Sequence, residues 1–242
     1  MRSVLFAILL LPAACSGGHS TLNSQPSSLR VGEAALEGGV PQAALSVAQR
    51  RLATNRDDLE ALLIQGRALS ELGENDKAVA SFLHAAAVAP NSIGTQFGLG
   101  RALLATGQAA EAESAFRRAL AVTHDDARAL TDLGIALDLQ EKHVDAQVAY
   151  RSALASAPEL DAARVNLGLS LALAGDPAQA VEILRPLSAS PNAPRRVRHD
   201  LATALAIGGD LPAAERLLRP ELTQEQVHVA LAAYTELQAP GH

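Results

Sequence analysis

Between Leu99 and Leu120 the sequence LGRALLATGQAAEAESAFRRAL sets apolar or small residues three and four positions apart. They fall first at Leu99, Gly100 and Leu103, then at Ala112 and Phe116, with polar residues between. That spacing predicts two amphipathic helices, and Gly107 stands where a helix C-terminus and a turn are predicted. Gly100, inside the first helix, costs roughly 1 kcal/mol relative to alanine, so it reads as a close approach between helices. The pattern returns every 34 residues. Gly100 belongs to the series Gly32, Gly66, Gly100, Gly134, Gly168 and Ala202, and Gly107 to Gly39, Gly73, Gly107, Glu141, Gly175 and Gly209. Alanine is unbroken at 44, 78, 112, 146, 180 and 214, and a large residue follows at Phe82, Phe116, Tyr150, Leu184 and Leu218, with Ala48 in the first unit. Six units therefore begin at 25, 59, 93, 127, 161 and 195, with no insertion between them.

In each unit, positions 4, 7, 8 and 11 share one face of the first helix (helix A). Glycine at position 8 and alanine at 20 let helix A and the second helix (helix B) approach, and the large residue at 24 fills the space beside them. Proline at position 17 (Pro41, Pro177) suits the first turn of helix B, where its missing N–H is not needed. A 34-residue period with these residues resembles the tetratricopeptide repeat, here from about 25 to 228. The expected architecture is all-α: an α-solenoid of about six such repeats and a C-terminal capping helix. Arg185-Pro186 and Arg219-Pro220 predict that helix B stops or kinks there in the last two units, with 188–196 a longer connection. Thr223 and Gln226 form a capping-box pair, and Val227, Leu231 and Tyr234 share a face of a capping helix over about 223–238, as a repeat array requires at its end.

Of the 242 residues 48% are hydrophobic, yet only 2% are aromatic, and the net charge is −6. That balance lacks the basic footprint of a nucleic-acid binder. The one basic cluster, Arg195-Arg196-Val197-Arg198, reads as a solvated helix start pairing with nearby carboxylates. Cys15 is the only cysteine, which excludes an intramolecular disulfide and a cysteine metal site. It follows Arg2, an apolar run from Val4 to Leu11, and Ala13-Ala14. The run is too short to span a bilayer and fits an export signal. Leu-Pro-Ala-Ala-Cys resembles the bacterial lipoprotein box. The resemblance implies a signal peptide over 1–14 and lipidation of Cys15. Ser16 after it resembles the outer-membrane sorting class. Residues 15–24 would form the lipidated cysteine and a flexible Gly/Ser tether, and 25–238 the superhelix. An ordinary secretory signal cut near the same point is the alternative.

No motif points to catalysis or to a cofactor, a metal or a small-molecule substrate. The seven histidines form no H-E-x-x-H pair, and there is no phosphate loop or nucleophile elbow. His124-Asp125-Asp126 falls at an inter-repeat turn, where an aspartate caps the next helix. The inner wall of the superhelix is the surface left for a partner. Helix A positions 2, 5, 9 and 12, with the flanking position 6, point away from the packing face. They supply Leu63, Ile64, Arg67, Phe97, Arg101, Leu104, Thr131, Asp132, Ile135, Val165, Asn166 and Leu169. The resemblance implies that Asn166 sits where such domains place an asparagine that binds peptide backbone. An apolar wall with sparse charge suits an extended or helical segment of a protein partner.

Three stretches narrow the family: R-x-R-x-D-L at Arg196–Leu201, G-D-x-x-x-A-E at Gly209–Glu215, and the closing E-Q-V…A-x-Y at 225–234. Over about 160–237 the chain resembles the lipoproteins of the tight-adherence (Flp) pilus assembly system, the TadD family. That resemblance implies a non-enzymatic, lipid-anchored adaptor of the bacterial envelope, on the periplasmic face of the outer membrane. It would support a pilus or secretion machine by binding a segment of its secretin or of another assembly component. A periplasmic lipoprotein regulating a cell-wall hydrolase or another envelope enzyme would carry the same repeats.

Overall fold

The computed structural model describes residues 28–236. The expected signal peptide and tether, Cys15, the first residues of the first unit and the expected end of the capping helix lie outside the described residues. Within them are thirteen helices and no strand. They run α1 Ser28–Glu37, α2 Pro41–Thr54, α3 Leu59–Glu71, α4 Asn75–Val88, α5 Ile93–Ala105, α6 Ala109–Leu120 and α7 Ala127–Asp138. Then follow α8 His143–Ser156, α9 Asp161–Leu173, α10 Pro177–Ser188, α11 Arg195–Ile207, α12 Leu211–Leu218 and α13 Gln224–Glu236. Each helix packs on the one before it, and α13 covers α11 and α12. Successive A helices also touch, from α1 and α3 through α9 and α11, whereas no two B helices do. Closer spacing of the A helices puts them on the inside of the curve and the B helices on the outside, as in other helical solenoids.

Helix starts are fixed by side chains that accept otherwise orphaned N–H groups. Asp58 accepts from Ala61, Ser92 from Thr95, Asp126 from Arg128 and Ala129, Asp176 from Gln179, and Asp210 from Ala213. Thr223 and Gln226 exchange reciprocal bonds of 2.9 and 3.3 Å ahead of α13. Asp126 thus acts as a helix cap within the His124-Asp125-Asp126 string. The turn glycines at 39, 73, 107, 175 and 209 all have φ between 68° and 91°. Glu141 holds the same place at φ 61°. A side chain in that left-handed region costs roughly 1–2 kcal/mol, and among the described residues the exposed Glu141 side chain makes no hydrogen bond or ion pair that offsets it. Glu141→Gly is therefore expected to stabilise the protein by about 0.5–1 kcal/mol, after the entropy that glycine adds to the unfolded chain. Thermal melting checks this, and an unchanged or lowered Tm would exclude strain at this turn.

The two prolines act differently. Helix α12 ends at Leu218, ahead of Pro220, but α10 runs through Pro186 to Ser188. Pro186 lies in the last turn, so its missing N–H removes a single bond. The Arg185 carbonyl still accepts from Ala189 N at 3.2 Å and Ser188 Oγ at 2.9 Å.

The core is built on position 8. A Cβ placed on Gly66 would lie 2.7 Å from the Phe82 ring, on Gly100 2.6 Å from Phe116, and on Gly168 2.7 Å from Leu184. The large residue at position 24 thus lies directly over the glycine of its own helix A. Phe82 also meets Gly98 of the next repeat, so its ring is held between two glycines. Alanines at positions 3 and 10 of helix A (Ala61, Ala129, Ala163; Ala68, Ala102, Ala136, Ala204) are buried as fully as the position-8 face. They form a second packing face that the sequence periodicity left unmarked.

Candidate partner-binding cleft

Helices α3 and α5 enclose a cleft of about 600 Å³ on the inner wall. Phe82 and Phe97 form its floor; on α5 the Phe82 ring fills the space a Gly98 side chain would need, and Gly94, one turn earlier, leaves the cleft open beside it. Phe97 is set by an edge-on contact with Phe116, centroids 6.0 Å apart at 63°. Arg67 and Arg101, both at position 9, stand at the rim with Ser70, Glu71 and Asn75. Neither arginine is free. Arg67 Nη1 donates to Glu33 Oε2 at 2.5 Å, which joins position 9 of two successive repeats. Arg101 Nε lies 3.7 Å from Asp132 Oδ2, and its guanidinium stands over the Phe97 ring, 5.8 Å from the centroid.

A second cleft, of about 670 Å³, lies where α9 faces the connection from α10 to α11. Val165, Asn166, Pro186, Leu187, Arg196 and Val197 are among its walls. Asn166 Oδ1 accepts from Arg196 Nη2 at 2.5 Å, and Arg196 Nε lies 3.5 Å from Asp200. The amide oxygen that would meet a peptide backbone is therefore already bonded within the protein. The rest of the basic cluster is held by Glu221, which pairs with Arg198, with Arg195 at 3.5 Å and with His199 at 3.6 Å. Desolvation pushes the Glu221 carboxyl up, but the Arg198 hydrogen bond and the surrounding cations outweigh it and leave its pKa below the ordinary range. A similar hub ties repeats three and four. Glu113 accepts from Arg117, Gln140 and Lys142, each at 2.9 Å. Against desolvation, these bonds bring its pKa to about 2.

Tetratricopeptide-repeat family models match residues 59–92, 97–159, 162–186 and 195–220, together more than half of the chain. The chain belongs to the tetratricopeptide-repeat family. Among solved structures, PilW, described as a widely conserved type IV pilus biogenesis factor, has a TM-score of 0.73 at 21% identity. That match covers 84% of this chain and 96% of PilW. MamA from Desulfovibrio magneticus RS-1 gives 0.61 at 26% identity, over 66% of this chain and 90% of MamA. YrrB, described as a TPR protein with an unusual peptide-binding site, gives 0.59 at 17%, over 78% and 97%. No curated protein matches the sequence.

In this tetratricopeptide-repeat protein the twelve wall positions divide. Arg67, Phe97 and Arg101 line the first cleft, and Val165 and Asn166 the second. Leu63, Leu104, Asp132, Ile135 and Leu169 are half-buried. Ile64, Thr131, Val165 and Asn166 are buried rather than displayed on an open wall. Position 6 lies about 40° around the helix from position 10, so Ile64 turns into the contact between repeats, where it meets Gly32. Val165 shares the lining of the second cleft with Val197 of α11, and Thr131 Oγ1 folds back onto the Ala127 carbonyl at 2.7 Å. The sequence reading missed Gly94, Gly98 and Glu71. Gly94 stands at position 2, a wall position, but offers no side chain to attract notice. Glu71 is one helical turn beyond Arg67, on the same open face.

Proposed function

We propose that this protein is an exported, lipid-anchored adaptor that docks an extended segment of an envelope pilus or secretion machine, its secretin in the first instance, in the cleft between α3 and α5. The cleft itself carries the reading: an aromatic floor beside the bare backbone of Gly94, on the concave face of the repeat array. Family membership supports protein binding. The likeness to a pilus biogenesis factor and the C-terminal resemblance to the tight-adherence lipoproteins support the choice of machine. Acylation at Cys15 would hold the array at the periplasmic face of the outer membrane, and more than one acyl chain makes such an anchor firm.

Gly94→Leu tests the docking. A Cβ at Gly94 meets only Leu63 Cδ1, at 3.7 Å, so leucine fits the fold and fills the cleft. Secretin recovery by co-purification from cross-linked envelopes is expected to fall at least tenfold, with the circular dichroism spectrum and Tm retained. Undiminished recovery would remove this cleft from the reading. In the same cells, a palmitate analogue is expected to label the wild-type protein and not Cys15→Ala.

A further inference from the structure

We infer that the segment docked between α3 and α5 is basic, presenting a large apolar side chain to the Phe82–Phe97 floor and a lysine or arginine to Glu71. This inference rests on the cleft being the docking site and adds the chemistry of what occupies it.

Two arginines at the rim suggest an acidic ligand at first sight, but their partners argue against it. Arg67 is bonded to Glu33, and Arg101 is shared between Asp132 and the Phe97 ring. A ligand carboxylate on the remaining guanidinium N–H groups would stand beside the acid that each arginine already holds. Asp132 is half-buried, and burial already pushes its carboxyl up, with Arg101 the cation that opposes this. A second carboxylate at Arg101 would share that one cation with Asp132. At Arg67 it would likewise face Glu33.

Glu71 is different. It lines the same cleft, is exposed, and makes no ion pair or side-chain hydrogen bond among the described residues. With both arginines neutralised by their own acids, the unbalanced charge of the cleft is one carboxylate. Ser70 and Asn75 add polar groups to the same lining, and the floor is apolar. A chain segment with an apolar anchor and a nearby cation matches that composition. The exposed pair adds only modest affinity and acts mainly in choosing between segments.

Two fluorescein-labelled octapeptides test this, alternating leucine with lysine in one and leucine with glutamate in the other. Binding is measured by anisotropy at 20 mM and 500 mM salt. The lysine peptide is expected to bind wild-type protein at least threefold more tightly at low salt, with the gap closing at high salt. Glu71→Gln should bring the two peptides level without changing Tm, and Gly94→Leu should abolish binding of both. Equal binding to the wild type, or preference for the glutamate peptide, overturns the basic assignment while leaving the cleft in place. Binding that survives Gly94→Leu, or no binding of either peptide, overturns the cleft and the inference together. Sedimentation that shows a dimer of the wild type but not of Gly94→Leu assigns the cleft to a second copy of this chain and also overturns the inference.

Discussion

Gly134→Ala is expected to destabilise the protein by about 2 kcal/mol, and Gly134→Leu by more. A Cβ at Gly134 would stand 2.7 Å from both Cδ1 and Cζ of Tyr150, closer than any packed side chain tolerates. Overpacking of this kind typically costs about 1–3 kcal/mol, against a gain of about 1 kcal/mol in helix propensity. The cost falls at the upper end here because the ring cannot step aside. Tyr150 is 1% exposed, and its hydroxyl donates to Asp138 Oδ2 at 2.9 Å. The other oxygen of that carboxylate accepts from Ser170 Oγ at 2.7 Å and lies 2.9 Å from His143 Nδ1. Burial, the Asp138 charge and this hydrogen bond raise the Tyr150 pKa, so the phenol stays a donor. Moving the ring breaks a network that links repeats four and five. Gly168→Ala meets Leu184 at 2.7 Å, but Leu184 has no polar tether, so its cost should be smaller. Thermal melts of the two alanine variants give the ranking. Equal Tm values would mean that the Asp138 network does not hold the ring.

The repeat and its period were legible in the sequence because they rest on one residue type in two fixed uses: a glycine under a large side chain, and a glycine at a left-handed turn. Glu141 shows the strength of that signal, since the backbone takes the left-handed turn there even without glycine. The inner wall was harder to read. Helical spacing gives the direction of a side chain from its own axis, but burial depends on how far the next helix A leans in, which no single repeat encodes. Arg67 and Phe97 could therefore be placed, while Ile64 and Val165 could not. The floor of the cleft is made partly by Phe82, a core residue of the preceding helix B that packs on Gly98, and by the absence of a side chain at Gly94. A search for chemistry-bearing residues overlooks positions whose role is to be empty. The state of the arginines was also hidden, because Glu33 reaches Arg67 across 34 residues of sequence.

Phe82→Ala is expected to cost about 3–5 kcal/mol, the range for removing a buried aromatic ring. The ring is 1% exposed and lies against Gly66 of its own repeat and Gly98 of the next, so neither neighbour has a side chain that could fill the void. In a repeat array each unit contacts only its neighbours, and the damage should therefore be regional. Hydrogen exchange is expected to accelerate through α3–α6 while α9–α13 keep their protection. Gly98 then supplies a check that does not depend on the size of the loss. In the wild type a Cβ at Gly98 would stand 2.6 Å from Phe82 Cζ, so Gly98→Ala should destabilise. Once the ring is gone, the same methyl group enters empty space and brings its helix propensity with it, so the sign should reverse. The double-mutant cycle is expected to give a coupling of at least about 2 kcal/mol, well above the roughly 0.3–0.5 kcal/mol scatter of independent sites. A coupling within that scatter would mean that Phe82 does not bridge the second and third repeats, and the floor of the cleft would have to be built from other residues.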